Sequence, residues 1–266
     1  MKMTDPRPAP EGVDPNTPNV ARMYDYFLGG KNNFAVDRAA AESILATFPD
    51  TRSSAIEGRA FLARAVRELV DAGVRQIVDI GSGLPTQGNV HEIAHMTAPD
   101  TRVTYVDYDA VVCSHARALL SGDPHVSVVR ADFREPDDLI GQLDGLVDFD
   151  RPVAFLMFAV LHFIPDSAKP YEVVGRLRDL SAPGSYLAIS HARDARPELT
   201  PEALEVYNRA TASLALRSHE EIARFFDGYE LLEPGLVYPE DWRPDPDEPR
   251  LAQAPSAGFS GVGRKP

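Results

Sequence analysis

Residues 74–94, VRQIVDIGSGLPTQGNVHEIA, run from an apolar stretch through a carboxylate and two glycines into a helix start. Ile77, Val78 and Ile80 are β-forming residues closed off by glycine, so they predict a short buried strand, and Gly81 and Gly83 supply the sharp turn after it. Helical spacing resumes beyond the turn. A strand, a glycine turn and a helix in this order commit the chain to βα units and bring backbone close to a small polar ligand.

Two ligand classes use such a turn. A dinucleotide asks for G-x-G-x-x-G with its pyrophosphate on the helix N-terminus. In this chain the fifth position is Pro85 and the sixth is Thr86, so the third glycine is missing. Asp79 ends the strand, where its charge repels a pyrophosphate but can hold water, an amine or a cation. S-adenosylmethionine carries an ammonium and a sulfonium and no phosphate, and it suits an acidic turn. Taken alone, D-x-G-x-G also fits a plain strand-to-helix turn.

The pattern recurs twice. Thr101 to Asp107 is a β-branched and aromatic run ending in a carboxylate, followed by helical spacing through Val111, Val112, Ala116, Leu119 and Leu120. Asp107 falls at a strand tip, where doubly wound folds place an acid for ribose hydroxyls. The plainer alternative is helix capping, which Asp109 can supply instead. Val126 to Asp132 repeats the design, with Asp132 able to accept from an adenine amino group and Phe133 able to pack on the base. Against that stands a surface aspartate beside a core phenylalanine.

Three acid-tipped strands at βα spacing resemble the class I S-adenosylmethionine-dependent methyltransferases. More narrowly, the chain is similar to the bacterial S-adenosyl methyltransferase family long catalogued as a domain of unknown function. The blocks that carry this are PNVARMYDYFLGGKNNFAVD (18–37), VDIGSGLPTQGNVHE (78–92), YVDYD (105–109), ADFREP (131–136), LHFIPD (161–166), EIARFFDGYELLEPGLV (221–237) and the terminal GVGRKP. They span nearly the whole chain. Pro85, where the general class often has a third glycine, is one departure from that pattern.

The resemblance implies an α/β fold with a doubly wound, mostly parallel seven-stranded sheet, a C-terminal antiparallel hairpin and an N-terminal helical cap. It implies methyl transfer from S-adenosylmethionine to an unidentified acceptor by in-line displacement. Asp79, Gly81, Ser82, Gly83, Asp107, Tyr108, Asp132, Phe133, Phe158 and Ala159 are the cofactor-binding candidates. A catalytically silent cofactor-binding or sensor protein needs the same pocket, and a nicotinamide-dependent oxidoreductase is the more remote alternative.

Strands are predicted near 76–80, 102–107, 126–131, 153–158 and 185–190. Two last β segments follow, around 230–237 and 258–263, with no helix between them. Helices are predicted over Val20–Leu28, stopped by Gly29-Gly30, over Ala35–Phe48, and over Ser54–Ala72, closed by Gly73. Thr200-Pro201 and the capping box Ser218-x-x-Glu221 mark later helix starts. The expected organisation is a mobile proline-rich leader (1–17), a helical cap or lid (18–72) and a methyltransferase domain (73–266).

Within the cap, RMYDYFLGGKNNF carries more polar aromatic chemistry than a plain helix requires. Arg22 can meet a carboxylate of cofactor or acceptor, and Tyr24 and Tyr26 can face a methyl acceptor or a sulfonium. Equally, Met23, Tyr26 and Phe27 can pack the helix while Arg22 and Asp25 stay solvated. The resemblance favours a lid with Gly29, Gly30 and Asn32 at its turn. His162 follows an apolar strand at the sheet's carboxyl edge and is a candidate for proton transfer, with placement against a loop as the alternative. An oxygen or nitrogen acceptor needing a base has His162, Tyr24 or Tyr26 to draw on. Gln87, Asn89 and His91 are candidates for the cofactor's aminoacyl end or for capping, with capping favoured for Asn89.

The net charge is −13, from 27 basic and 40 acidic residues. That balance argues against nucleic acid and against anionic membranes, and favours a small-molecule acceptor. One cysteine, Cys113, excludes an internal disulfide and a zinc cluster and reads as a buried inert thiol. No metal site is expected. Residues 1–20 lack a secretory pattern, and the longest apolar stretch, 152–164, is too short to span a bilayer and contains His162, so the expected location is cytoplasmic.

Overall fold

In the computed structural model the described residues are 14–85, 88–120, 122–194, 214–246 and 255–266. Three helices come first: α1 (Val20–Phe27), α2 (Ala35–Thr47) and α3 (Thr51–Asp71). Then strand and helix alternate: β1 (Gln76–Ile80), α4 (Val90–Thr97), β2 (Arg102–Asp107), α5 (Ala110–Leu120), β3 (Val126–Arg130), α6 (Pro136–Leu143), β4 (Ala154–Phe158), α7 (Pro170–Leu180) and β5 (Tyr186–Ala192). The short helix α8 (His219–Ala223), β6 (Glu230–Leu231) and β7 (Gly258–Arg264) complete the order.

The seven strands lie in the order β3-β2-β1-β4-β5-β7-β6. The first five pair in parallel, while β7 runs antiparallel to both β5 and β6. The chain winds outward from β1 to β3 and then returns to β4 on the other side of β1. That reversal opens a crevice at the carboxyl ends of β1 and β4, where doubly wound sheets bind ligands.

Both faces of the sheet are covered, which is why the strands read as near-continuous apolar runs. Val78, Ile80, Val106, Val129, Phe155, Met157, Leu187 and Ile189 pack on one side against Leu139 and Leu143 of α6 and Val173, Val174 and Leu177 of α7. Ile77, Val103, Tyr105, Leu156, Ala188 and Val262 pack on the other against α3 and α4. Met23, Phe27, Ala41, Ile44, Phe48 and Ala55 form a third cluster that joins α1, α2 and the start of α3.

Most element ends fall within a residue or two of the sequence reading, and α3 begins three residues early, at Thr51. The segment 230–237 differs more. Only Glu230 and Leu231 pair as a strand; Pro234 has no amide to donate, Gly235 turns at φ +92, and pairing resumes in a lone bridge between Val237 and Ser260. A 3-10 turn, Pro239–Asp241, also stands between the two final β segments, where no helix was expected. The Ser218 capping box is present: Ser218 Oγ accepts from the Glu221 amide at 3.2 Å, and Glu221 Oε2 accepts from the Ser218 amide at 2.8 Å. Thr200-Pro201 lies outside the described residues. No helix among the described residues is long and apolar enough to cross a membrane.

Candidate active site

The turn after β1 is drawn onto β2, because the amides of Gly81 and Ser82 both donate to the Val106 carbonyl, at 2.8 and 3.2 Å. Gly81 sits at φ +73, and a Cβ there would stand 2.5 Å from Val160 Cγ2, so conformation and space both demand glycine. Gly83, at φ +65, donates its amide to Asp107 Oδ2 at 3.0 Å. Ala21 of α1 lies 3.9 Å from where a Gly83 Cβ would be, so the first helix roofs the turn.

Asp79 is only 5% exposed. Burial pushes its carboxyl up to about 7, against the pull of the nearby Arg59 guanidinium and with a further push from Asp107. Asp107 is also buried, and burial raises it despite the amide bonds it accepts from Asp109 and Gly83. Capping of α5 falls to Asp109, whose Oδ1 accepts from the Val111 amide at 2.7 Å. Its Oδ2 accepts from Asn19 Nδ2, also at 2.7 Å, which pins the start of α1 over the crevice. Asp132 forms a forked pair with Arg134, with contacts of 2.5–3.1 Å, and that partner holds its carboxyl below the ordinary range. The Arg134 guanidinium also lies 5.8 Å from the exposed Tyr108 ring.

Past β4 the backbone of Ala159 adopts φ +53, a conformation that side chains rarely take. It is fixed there by its amide, which donates to both the carbonyl and the hydroxyl of Ser190, at 3.1 and 3.0 Å. Phe158 leans on Phe61 of α3 at 5.4 Å, and Phe61 meets Trp242 edge-on at 5.3 Å. His162 Nδ1 accepts from the Ala192 amide at 3.2 Å. Burial, followed by the neighbouring His191 and Arg217, drives its imidazole well below the usual histidine range.

A cavity of about 360 Å³ runs along this crevice. All ten cofactor candidates line it, from Asp79 through Ala159, together with Tyr24 and His162. Tyr24 donates to the Ala55 carbonyl at 3.3 Å, and its burial raises the phenol.

Other candidates lie elsewhere, for identifiable reasons. Arg22 does meet a carboxylate, but that of Asp37: Nε donates to Oδ2 at 2.7 Å, with both side chains buried, and Nη2 donates to the Thr17 carbonyl at 2.6 Å. Neither Arg22 nor Asp25 is solvated, since they are 7% and 2% exposed. Tyr26 turns away from the cavity to Glu42. Gly30 and Asn32 wrap Asp25 rather than line the cavity, and Gly29 donates its amide to the Tyr26 carbonyl at 3.0 Å. The Asn32 amide donates to Asp25 Oδ2 at 2.8 Å, and a Cβ on Gly30 would collide with that carboxylate. His91 Nδ1 shares a 2.8 Å hydrogen bond with the Tyr105 hydroxyl. Asn89 caps α4, its amide donating to Glu92 Oε2 at 2.8 Å. Gln87 lies outside the described residues.

Several cavity groups escaped the sequence reading. Arg59 reaches the lining from the middle of α3, and Ser190, Ser256 and Ser260 reach it from the far end of the sheet. Asp25 Oδ1, Ser256 Oγ and Ser260 Oγ are buried without a hydrogen-bond partner among the described residues. Nothing in a lone serine or a mid-helix arginine marks it.

A doubly wound sheet whose last strand runs antiparallel, with a glycine turn and acids at its switch-point crevice, has the class I methyltransferase fold. The chain belongs to the S-adenosyl methyltransferase family, whose model matches residues 6–266. Its cofactor is S-adenosylmethionine. A Thermobifida fusca protein described as a candidate methyltransferase is 41% identical, with 96% of this chain and 98% of that one covered and a TM-score of 0.89. A DUF574 family protein of Streptomyces avermitilis is 35% identical over 95% and 99% of the two chains, with a TM-score of 0.88. The N-methyltransferase NodS of Bradyrhizobium japonicum shares the fold at 17% identity and a TM-score of 0.51, over 82% and 99%. No curated protein matches the chain.

Proposed function

We propose that this methyltransferase acts on a small molecule enclosed between the first helices and the carboxyl edge of the sheet. The observation that carries the reading is the shape of the cavity. It continues past the acid-tipped strands beneath α1 and the start of α3 to the ends of β5 and β7, walled by Phe48, Ala55, Phe163, Ile164 and Phe259. A crevice with a largely apolar lining suits a small organic acceptor better than a macromolecular chain.

Asp107 accepts from the ribose hydroxyls, and Asp132 with Phe133 holds the adenine. Asp79 and Arg59 carry opposite charges suited to the cofactor's ammonium and carboxylate. When bound, S-adenosylmethionine supplies an electrophilic methyl group. The protein contributes alignment and a dry site, with Phe158 and Phe61 excluding water and α1 closing the roof as a lid. The single, buried Cys113 and the net acidity suit work in the cytoplasm.

Incubating the protein with S-adenosylmethionine and a small-metabolite extract is expected to release S-adenosylhomocysteine. Release that occurs only when protein or nucleic acid is supplied as acceptor would overturn the small-molecule reading.

A further inference from the structure

The polar groups that the strand ends bring to the cavity differ along the sheet, while Arg59, Arg134 and Asp25 also line it. Asp79, Asp107 and Asp132 stand at the tips of β1, β2 and β3, on one side of the switch point. On the other side the sheet contributes groups able to donate hydrogen bonds: His162 after β4, Arg193 after β5, Ser256 just before β7 and Ser260 within it. Ser256 and Ser260 are 1% and 0% exposed, and their hydroxyls have no partner among the described residues. Such buried hydroxyls are costly unless something completes them.

His162 belongs with the donors. A backbone amide can only donate, so the Ala192 amide on Nδ1 forces that nitrogen to accept and places the proton of the neutral ring on Nε2. The neighbouring His191 is fixed the same way. Its Nδ1–H donates to the Ala192 carbonyl at 2.7 Å, and its Nε2 accepts from Arg217 Nη1 at 2.9 Å. Arg217, paired with Asp166 at 2.7 Å, stands behind both rings and adds to burial in opposing a second proton on either one. His162 Nε2–H has no partner among the described residues.

We propose that the β5–β7 half of the cavity is an anion subsite for a small carboxylic acid, and that His162 holds the accepting oxygen by donating from Nε2 rather than by removing a proton. The inference rests on the methyl-transfer reading and names its acceptor. A carboxylate oxygen forms its bond to the methyl carbon as the carbon–sulfur electron pair returns to sulfur, giving a methyl ester and a thioether. No proton leaves the acceptor, so no base is required. Opposite charges meet and cancel in a low-dielectric site, which lowers the cost of the step.

The test uses benzoate and benzylamine, matched in size and opposite in charge, titrated by calorimetry into protein loaded with S-adenosylhomocysteine. Benzoate is expected to bind and benzylamine not to. His162→Ala should weaken benzoate by about 10-fold or more, while His162→Gln, whose amide can donate from nearly the same place, should stay within about 3-fold of wild type. Nitrogen-15 NMR of wild-type His162 should show a neutral ring protonated on Nε2 from about pH 6 to 8. Benzylamine binding as tightly as benzoate, benzoate indifferent to His162→Ala, or a proton on Nδ1 would each overturn the proposal. The NMR and the two-ligand comparison in wild type judge it even if the alanine variant does not fold. Failure to bind S-adenosylhomocysteine at all would instead strike the methyl-transfer reading.

Discussion

The amide of Gly83 donates to Oδ2 of Asp107 across 3.0 Å, so the glycine turn after the first strand is locked to the acid at the tip of the second. The remaining oxygen, Oδ1, accepts from the Asp109 amide at 2.9 Å and keeps lone-pair capacity for a ligand diol. Replacing Asp107 with alanine is expected to lower S-adenosylmethionine affinity by about 10-fold or more, since hydrogen bonds to a charged group contribute roughly 1.5–3 kcal/mol. Titration calorimetry on the folded variant checks this, and unchanged affinity would remove the ribose role.

Gly81→Ala places a methyl group against Val160 in a backbone conformation that favours glycine. The expected cost is about 1–3 kcal/mol of stability, read from urea unfolding, with more if Val160 cannot shift. An unaltered midpoint would mean that the turn is less constrained than its geometry implies.

Asp79 makes the unliganded protein sensitive to pH. Its folded value, about 7, lies above the ordinary 3.8, so between those values the folded form keeps a proton that the unfolded chain has lost. Stability should therefore fall as pH rises through that window, by on the order of 1 kcal/mol per pH unit from this group. Asp79→Asn should flatten that part of the profile when unfolding is followed from pH 4 to 8. A slope unchanged by the substitution would contradict the buried-carboxyl account.

Arg22 and Asp37 form a buried pair that joins the starts of α1 and α2, and Asp37 also accepts from the amides of Asn19 and Phe34. Arg22→Ala leaves that carboxylate buried without its cation, and the expected loss is about 3–5 kcal/mol. Chemical denaturation measures the effect. A variant as stable as wild type but unable to bind cofactor would return Arg22 to the binding role its sequence context suggested.

What the sequence disclosed was largely local. Asp79, Asp107 and Asp132 were legible because a strand followed by an acid and a helix is written in consecutive residues. The parallel winding then gathered them at one edge of the sheet. Asp109 was legible as a cap by the same local logic. Long-range pairing was not: Arg22 finds Asp37 only because two helices fold back on each other. The GGKNN turn reads as a lid hinge until Gly30 and Asn32 are seen closing around Asp25. Ala159 carries no sign of its positive φ, which is imposed by two bonds to Ser190, thirty-one residues away in sequence. The irregularity of 230–237 is local as well: Pro234 and Gly235 break the run of β-forming residues.

Strands that embrace an adenosyl sulfonium with their acidic tips must show it in a liganded structure. A crystal structure of the protein with S-adenosylhomocysteine, the product that shares the cofactor's adenosyl and aminoacyl groups, tests it most directly. The account predicts the ribose hydroxyls on Asp107, the adenine between Phe133 and Asp132, and the aminoacyl group beside Gly81 and Asp79. Ligand density elsewhere, or a ribose out of hydrogen-bonding reach of Asp107, would contradict it.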